Sequence, residues 1–296
     1  MRKTGFIAIV GRPNVGKSTL LNTILGEKVA IVSSKPQTTR NRINGIYTKG
    51  DEQFVFIDTP GIFKPRNSLG EYMVDAADTG MRDADAVILV VEAGRTPGDV
   101  EKKVIEYLET SGVPSLLAIN KTDLCDGEAV GKTIVEYSEL HEFDAVVPIC
   151  AKNKKGVDGL LSECGKFLVE SDWFFPADIV TDQPERAIVA EVIREKLLRA
   201  LDKEIPHGLV VVIEDFEDEE TLIRVRAEIY CEKASHKGII VGKNGETLKR
   251  VGTYARQDLE KMLGVKVYLN LWVKVKENWR NSEALLGNFG YKKEVD

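Results

Sequence analysis

The stretch Gly11-Arg12-Pro13-Asn14-Val15-Gly16-Lys17-Ser18 decides the fold of the N-terminal half of the chain. An apolar run, Phe6 to Val10, leads into it, and a helix-compatible stretch, Thr19 to Gly26, follows it. In this strand–loop–helix setting, backbone N–H groups and the helix dipole point at one anion. The spacing therefore predicts a phosphate-binding loop, in which Lys17 reaches the β- and γ-phosphates and Ser18 binds magnesium.

Two further motifs stand at the ends of apolar runs, where a parallel sheet carries its ligand-binding loops. Asp58-Thr59-Pro60-Gly61 follows the run Phe54 to Ile57. Its carboxylate can hold magnesium through water, while the Gly61 N–H can meet the γ-phosphate. Asn120-Lys121-Thr122-Asp123 follows the run Ser115 to Ile119. Each motif is weak alone, but their order along one sheet edge predicts a nucleotide site.

The second of these motifs predicts that the base is guanine. The Asp123 carboxylate can accept two hydrogen bonds at once, from the ring N–H and from the exocyclic amino group of guanine. Adenine offers neither donor at that edge, so it would leave the carboxylate unpaired. The stem of Lys121 would lie along the face of the base. We therefore expect the ligands to be GTP and GDP.

The apolar runs alternate with amphipathic stretches, which predicts a doubly wound, mostly parallel α/β sheet of the P-loop GTPase type. The last helix of this half is expected from Val157 to about Glu170. The predicted strands are Phe6–Val10, an edge strand near Ile43–Tyr47, Phe54–Ile57, Ala86–Val91, Ser115–Asn120 and Ala145–Ile149.

Length and composition are typical of a soluble two-domain protein of a reducing compartment. The 296 residues are 43% hydrophobic, and no apolar run reaches the roughly 18 residues that span a bilayer. The four cysteines have no CxxC spacing and there are three histidines, so a structural zinc site or a disulfide framework is not expected. We expect a cytoplasmic protein.

A linker is predicted where two proline-containing stretches, 173–176 and 182–184, interrupt the periodic pattern. The expected domains are a nucleotide-binding G domain over residues 1–172 and a second domain over residues 185–296, separated by the linker 173–184. The linker aromatics are expected to pack on a domain rather than to bind a ligand.

The second half predicts a helix, Glu185 to Glu204, followed by the strands Gly208 to Ile213 and Leu222 to Tyr230. Between the strands lies an acidic run that is expected to be a solvated hairpin tip. The acidic residues of that run are Asp215, Glu217, Asp218, Glu219 and Glu220.

A GxxG loop, Gly242-Lys243-Asn244-Gly245, follows between two helical segments. Beyond it, a helix is expected to continue over Lys249 to Leu263 and a strand over Val265 to Lys274. The order helix-strand-strand-helix-GxxG-helix-strand is that of a type II KH domain, an α+β fold. Its paired glycines let the backbone approach a sugar-phosphate chain closely.

The charge distribution favours RNA binding over a merely structural glycine turn. Residues 231–280 contain 11 Lys and Arg against 5 Asp and Glu, a net charge of +6. The whole chain carries −6, so the remainder carries −12. A cationic surface on an otherwise acidic protein suits a partner with a phosphate backbone.

With these motifs on one chain, the sequence resembles the Era family of bacterial ribosome-assembly GTPases over its whole length. The resemblance implies a GTPase domain of the TrmE-Era-EngA type joined to a type II KH domain. It implies that the KH domain grips the single-stranded 3′ end of 16S rRNA and acts in maturation of the small (30S) subunit. It further implies a monomer with peripheral association to the inner membrane. The matching stretches are Gly11–Ser18, Gln37–Asn41, Asp58–Gly61, Asn120–Asp123 and Gly242–Gly245.

The resemblance also assigns roles to individual residues. Thr39 would close on Mg²⁺ from the first switch, together with Ser18 and Asp58, and Asp58–Ile62 would form the second switch. Asn120, Lys121 and Asp123 would read guanine, with Thr122 between them. Cys150-Ala151-Lys152 replaces the usual Ser-Ala-Lys segment, whose Ala N–H meets the guanine carbonyl. On the RNA side, Ile240 and Gly242–Gly245 would form groove and loop, and Lys237, Lys249 and Arg250 are added for charge and proximity.

Hydrolysis is expected to be slow without help. Ras-like enzymes orient the attacking water with a glutamine directly after DxxG, and Ile62 occupies that place here. Asn14 stands where related GTPases hold potassium, although it can equally stabilise its turn. The expected catalytic residues are Lys17, Thr39, Gly61 and Asn14, with Mg²⁺ as the cofactor and K⁺ as a candidate stimulating ion.

Two alternatives remain open at the level of sequence. In one, the C-terminal module docks to proteins or membranes instead of RNA. In the other, the chain is the GTPase subunit of a tRNA-modifying enzyme. The second fits less well, because those chains insert the GTPase domain within a helical domain and end in a reactive cysteine.

Overall fold

The structure is a computed structural model that describes residues 1–202 and 205–292. In it the chain divides into two compact units, each with its own sheet. Among the described residues, no helix is both long enough and apolar enough to cross a bilayer. The first unit comprises residues 1–30, 39–65 and 73–182, and the second comprises residues 31–38, 66–72 and the described residues from 183 onward.

The sheet of the first unit is doubly wound and mostly parallel, as predicted. Among the described residues its seven strands are β1 (Lys3–Val10), β2 (Ile43–Lys49), β3 (Glu52–Asp58), β4 (Ala86–Glu92), β5 (Ser115–Asn120), β6 (Ala145–Pro148) and β7 (Val169–Glu170). They are ordered β2-β3-β1-β4-β5-β6, and β7 pairs with β1. The pairs β2–β3 and β1–β7 are antiparallel, and the others are parallel. The winding changes direction at β1, where such sheets bind their ligands.

Both faces of this sheet are buried, which explains its uninterrupted apolar strands. On β1, Ile7 and Ile9 belong to one apolar cluster, and Ala8 and Val10 belong to another. Residues two apart point to the same face, so the two clusters lie on opposite sides of the sheet. The helices in this half are α1 (Lys17–Leu25), α2 (Ser68–Arg82), α3 (Asp99–Ser111), α4 (Gly127–Ser138) and α5 (Val157–Cys164).

The helix predicted from Val157 to Glu170 is wrong in its second half. Helix α5 ends at Cys164, a short 3₁₀ turn covers Gly165–Phe167, and Val169–Glu170 is strand β7. Leu168 is buried in the apolar cluster, and β7 pairs with Lys3 and Thr4 of β1. Strand pairing and burial of this side chain therefore outweigh the local helical pattern.

The predicted linker aromatics pack on the first unit. The Trp173 indole N–H donates to the Asp51 carbonyl at 3.3 Å. Phe175 exchanges two backbone hydrogen bonds with the Gln53 side chain, and Phe174 contacts the ring of Phe6. The compact unit that contains them extends to residue 182. The division at residues 173–184 stays a prediction.

The second unit has the element order predicted for a type II KH domain. Its elements are α6 (Glu185–Ala200), β8 (Val210–Asp218), β9 (Leu222–Cys231), α7 (Ala234–Val241), α8 (Glu246–Leu263), β10 (Lys266–Val275) and α9 (Glu283–Asn288). The sheet order is β10-β9-β8, in which β9 is antiparallel to β8 and parallel to β10. The α+β architecture of this half is confirmed.

One face of the KH sheet is buried and its other face is open. Alternate residues of β9, such as Val225 and Ala227, pack in one cluster with Val251, Ala255 and Leu259, which recur every four residues on α8. The residues of β9 and β10 between the buried ones point away from the helices. The KH core therefore lies between the helices and a single face of the sheet.

Two boundaries in this unit differ from the sequence expectation. The acidic run is only partly a hairpin tip, since β8 extends through Asp218. Arg226 of β9 pairs with Asp215 at 2.7 Å and Arg224 pairs with Glu219 at 2.9 Å, so basic partners hold these carboxylates along the ribbon. Helix α6 ends at Ala200; Glu204, its predicted end, lies outside the described residues.

Candidate nucleotide-binding and RNA-binding sites

The phosphate loop connects the end of β1 to the start of α1 and depends on its glycines. Gly11 and Gly16 have φ of 144° and 109°, in the left-handed half of the map. A Cβ at Gly11 would lie 2.3 Å from the Val90 carbonyl oxygen, and one at Gly16 would lie 2.2 Å from the Asn120 amide nitrogen. The loop can therefore curl with its N–H groups inward only if both residues are glycine.

Lys17 lies buried at the centre of this loop. Its ammonium donates to the carbonyl oxygens of Gly11 and Arg12 at 3.0 and 2.9 Å. Burial lowers the pKa of Lys17 to about 8, against the opposing attraction of Asp58. A desolvated cation held by neutral carbonyls gains strongly from an anionic partner, so Lys17 is suited to a phosphate oxygen.

Three oxygen ligands converge beside Lys17. Ser18 Oγ donates to Asp58 Oδ2 at 2.6 Å and lies 2.8 Å from Thr39 Oγ1, which is itself 3.4 Å from that carboxylate. Burial raises the pKa of Asp58 to about 6, with Lys17 and the two hydroxyl groups acting in the opposite direction. The second carboxylate oxygen of Asp58 is buried without a hydrogen-bond partner. This hard-oxygen set, with an orphaned oxygen, fits Mg²⁺.

The second switch is fastened to the phosphate loop. The Ile62 N–H donates to the Gly11 carbonyl at 3.1 Å, and Thr59 Oγ1 donates to the Ile9 carbonyl at 2.9 Å. A Cβ on Gly61 would lie 2.6 Å from the Pro13 nitrogen. The Pro60-Gly61 turn therefore keeps its N–H groups next to the loop that cradles the phosphates.

Ile62 is buried, and its side chain packs in the apolar cluster that also contains Val10. A hydrocarbon side chain held in the core can neither donate to nor accept from an attacking water. Within the nucleotide site Ile62 therefore offers its backbone alone, and the glutamine function of Ras-like enzymes has no counterpart at this position.

Asn120 joins the phosphate loop to the base-binding loops. Its amide donates to the Val15 carbonyl at 2.8 Å and accepts from the Ala151 N–H at 3.0 Å. That N–H is the one assigned to the guanine carbonyl, so it has to be shared when guanine binds. Lys121 has φ of 63°, and its ammonium lies 3.3 Å from Glu92.

Asp123 is exposed and is aligned by the cysteine that replaces the usual serine. Cys150 Sγ donates to Asp123 Oδ1 at 3.1 Å. This hydrogen bond is the main reason that the pKa of Asp123 is lowered, with burial opposing it and Lys152 and Lys121 adding to it. The carboxylate is thus charged and oriented, as a guanine reader requires. Thr122 beside it bonds to the Ile149 carbonyl through its N–H and its hydroxyl.

The residue that holds the Arg12 side chain in place, Glu101, was not predicted from the sequence. The guanidinium lies 2.5 Å from Glu101 of α3, a buried carboxylate that also accepts the Gly98 N–H at 3.0 Å. A glutamate in the first turn of an amphipathic helix reads as an ordinary N-terminal charge, so the sequence carried no signal for this contact. Asn14, at the exposed tip of the loop, has φ of 66°, which agrees with a turn-stabilising role.

The GxxG loop joins α7 to α8 and exposes two polar residues. Gly242 has φ of 77°, and a Cβ there would lie 2.3 Å from the Thr247 hydroxyl, so glycine is required. Gly245, with φ of 79°, immediately precedes α8. Lys243 and Asn244 are exposed between them. The loop presents backbone and a cation to solvent, as the sequence predicts.

A groove of about 400 Å³ begins at this loop. Ile240, which the resemblance assigns to it, is instead fully buried in the core, because it points to the inner side of α7. Lys237 and Arg250 are exposed but do not line the groove. One wall of the groove is formed by residues 249, 252, 253 and 256 of α8. Their helical spacing is the signal from which this wall could have been predicted. The lining residues are Gly245, Leu248, Lys249, Gly252, Thr253, Arg256, Leu269 and Leu271.

Comparison with known proteins decides the family. Residues 6–121 match the model of the 50S ribosome-binding GTPases, and residues 204–280 match that of the KH domain. The chain is 48% identical to the GTPase Era of Ruminiclostridium cellulolyticum over 291 residues, covering 98% of both chains. It is 49% identical to the GTPase Era of Clostridium botulinum strain Okra over 294 residues, covering 99% of both. The chain belongs to the Era family of GTPases.

Solved Era structures agree with this assignment. Era in complex with MgGDPNP and nucleotides 1506–1542 of 16S ribosomal RNA superimposes with a TM-score of 0.95 at 37% identity, covering 98% of this chain and 99% of that one. An Aquifex aeolicus Era variant bound to GDP and AlF₄⁻ gives 0.94 at the same identity and coverage. The chain is therefore a GTPase with an RNA-binding KH domain, and the Era match over its full length excludes the tRNA-modifying alternative.

Proposed function

We propose that this Era-family GTPase binds the 3′ end of 16S rRNA in its KH groove and acts in assembly of the small (30S) ribosomal subunit. The observation that carries the proposal is the groove beside the GxxG loop, in a chain that also holds a complete GTP site. The solved Era complex with MgGDPNP and nucleotides 1506–1542 of 16S rRNA supports the identity of the RNA.

The groove has the chemistry that unpaired RNA needs. Leu248, Leu269 and Leu271 give apolar surface for base faces, and Lys249 and Arg256 supply charge for phosphates. The glycine backbone at the mouth of the groove allows a sugar-phosphate chain to approach closely. A duplex presents its bases stacked and paired, so the groove selects a single strand.

Lys243→Glu is expected to weaken binding of single-stranded RNA at least tenfold and to reduce its salt dependence, because a phosphate contact becomes a repulsion. Binding of GTP should not change. Filter binding with labelled RNA of the 16S 3′ end measures the RNA affinity and its salt dependence. Lys261→Glu is the matched control, since Lys261 is exposed on α8 but does not line the groove. Equal affinity of the wild-type chain and Lys243→Glu would remove the loop from the RNA site.

Hydrolysis is proposed to depend on Mg²⁺ and to be stimulated by K⁺ held near Asn14. When bound, Mg²⁺ neutralises developing phosphate charge, and Ser18, Thr39 and Asp58 would hold it. A potassium ion at the exposed tip of the loop would add positive charge where an arginine finger acts in other GTPases. The buried side chain of Ile62 supports the need for such help.

Turnover of GTP is expected to be several-fold faster in potassium buffer than in sodium buffer of equal ionic strength. The phosphate released per minute measures it. Asn14→Ala should remove most of the difference while GDP affinity stays within a few-fold, because phosphate contacts of the backbone and Lys17 remain. Equal turnover in both buffers would exclude the ion from the mechanism.

The residues that precede Thr39 in the chain contact helix α6 within the second unit, which supports a switch mechanism. Residues 31–38 group with the second unit. The buried guanidinium of Arg194 on α6 donates to the Thr38 carbonyl, and the buried carboxylate of Glu195 accepts the Val32 N–H at 3.2 Å. The next residue in the chain is Thr39 at the magnesium site. Ordering of Thr39 by a γ-phosphate would therefore act on α6 through one peptide bond.

Lys196 connects this helix to the wall of the RNA groove. Its ammonium pairs with Glu195 at 2.8 Å and also with Asp258 of α8. Helix α8 carries Lys249 and Arg256 along the groove. We therefore propose that GTP and GDP states present the groove differently, because a shift of α6 is passed to α8 by the partly buried ion pair of Lys196 with Asp258.

Arg194→Ala is expected to lower GTP hydrolysis about tenfold with little change in GDP affinity, because Thr39 loses the support of its neighbour. Single-turnover hydrolysis and GDP binding measure the two effects. Arg186→Ala, on the same helix, controls for loss of charge, and thermal unfolding controls for loss of a buried group. Unchanged hydrolysis in a folded Arg194→Ala chain would contradict the contact's role.

The family resemblance also supports a cytoplasmic monomer that associates peripherally with the inner face of the cell membrane. Sedimentation of the purified chain and its flotation with anionic vesicles measure these properties. A stable dimer would contradict the monomer. The absence of flotation at low salt would contradict the membrane association.

A further inference from the structure

The open face of the KH sheet carries a row of aromatic and basic side chains on β10. Tyr268 and Trp272 point outward from this strand and are 55% and 59% exposed. Asn270 lies between them, and Lys266 and Lys274 lie at the two ends of the row. Large exposed aromatic side chains on one face of a strand are a feature of surfaces that bind a partner.

The same strand forms part of the RNA groove on its other side. Leu269 and Leu271 line the groove, while the residues that alternate with them point to the open face. A single-stranded RNA that leaves the groove would therefore reach the outward-facing side chains after crossing the width of β10. Rings four residues apart on a strand are separated by about 13 Å, which leaves room for two bases rather than one.

Charge on this face is divided between its two edges. From residue 266 to residue 276 the sequence has three lysines and no acidic residue. On β9, the Arg224 guanidinium lies 5.8 Å from the centre of the Tyr268 ring. Glu228 of β9 also faces this surface and pairs with Lys274 at 2.5 Å, and further acidic residues lie towards β8, where Arg226 pairs with Asp215. The outward positions of β9 and β10 thus carry four basic residues (Arg224, Arg226, Lys266 and Lys274) and one acidic residue, Glu228.

We propose that Tyr268, Asn270 and Trp272, named here the β10 platform, form a second RNA-contact surface that stacks unpaired bases leaving the groove. This rests on the proposed RNA-binding function. Aromatic rings stack on any base, an amide bonds to base edges, and flanking lysines meet phosphates. A protein-docking core favours aromatic residues but is depleted in lysine, so the excess of basic over acidic side chains beside the rings favours RNA as the occupant.

The test compares two RNAs on the full chain. One has about 5 nucleotides, enough for the groove, and one has about 12, enough for the groove and the platform. The Tyr268→Ala/Trp272→Ala chain is expected to lose at least tenfold in affinity for the longer RNA and to bind the shorter RNA as the wild type does. Tyr254→Ala is the matched control, because this exposed tyrosine lies on α8 outside the groove lining.

Each outcome of this comparison is decisive. No loss on either RNA would overturn the platform while leaving the groove intact, and equal loss on both RNAs would show that the two residues act on the groove and would also overturn the platform. Failure of the wild-type chain to bind either RNA would instead refute the proposed function. Loss of self-association in the double variant would assign the face to a second copy and overturn the proposal.

A second measurement leaves Tyr268 and Trp272 in place. The three tryptophans are Trp173, Trp272 and Trp279, and Trp279 is fully buried. In a Trp173→Phe chain, the longer RNA is expected to quench the exposed indole of Trp272, and the shorter RNA is not. Absence of quenching by the longer RNA at saturation would overturn the platform.

Discussion

Asp123→Asn is expected to lower the affinity for GTP about a thousandfold and to make xanthosine triphosphate the preferred ligand. The wild-type carboxylate accepts from both donors on the guanine edge. An amide can accept only one of these hydrogen bonds, and its NH₂ group then faces the amino group of guanine. Xanthine carries a carbonyl in place of that amino group, so it restores a donor–acceptor pair. Competition against labelled GDP measures both affinities.

Cys150→Ser is the matched control for this experiment. A hydroxyl can donate to Asp123 as the Cys150 thiol does, at 3.1 Å in the structure, so the preference for guanine should persist. Retained GTP affinity in Asp123→Asn, or weak binding of both nucleotides by Cys150→Ser, would show that the base is read elsewhere.

Lys17→Ala is expected to reduce GTP affinity between a hundredfold and a thousandfold, because it removes a buried, charged donor to the phosphates. The free chain should remain folded and be no less stable. Burial lowers the pKa of Lys17 to about 8, so the folded state holds this proton less tightly than the unfolded chain does. Below that pH the charge costs free energy in the folded state, and its removal relieves the cost.

Thermal unfolding with and without GTP and Mg²⁺ measures both parts of this prediction. The wild-type chain should gain stability on adding nucleotide, and Lys17→Ala should not. Lys154→Ala, which removes an exposed lysine of the same unit, should respond as the wild type. Full stabilisation of Lys17→Ala by GTP would contradict the assignment of this lysine to the phosphates.

The nucleotide site could be predicted almost completely, because its chemistry depends on short motifs at strand ends. Gly11, Gly16 and Gly61 are fixed by close backbone approach, which a sequence pattern records directly. Strand pairing was less accessible. Val169–Glu170 is a strand because it meets β1, and that partner lies more than 160 residues away in the sequence.

Contacts made by buried charged residues on helices could not be predicted. Glu101 holds Arg12 and Arg194 holds the Thr38 carbonyl, but each occupies a helix position where a solvated charge is the usual finding. Ile240 was misplaced for the opposite reason, since an apolar residue beside a GxxG loop suits the groove and the core equally. Only the rotation of α7 decides that it is buried.

The most direct test of the account is the affinity of the full chain for single-stranded RNA of the 16S 3′ end, measured with Mg²⁺ and either GDPNP or GDP. We predict binding at least fivefold tighter with GDPNP, which is the lower range of coupling between linked sites. Equal affinity in the two states would contradict control of the KH groove by the nucleotide.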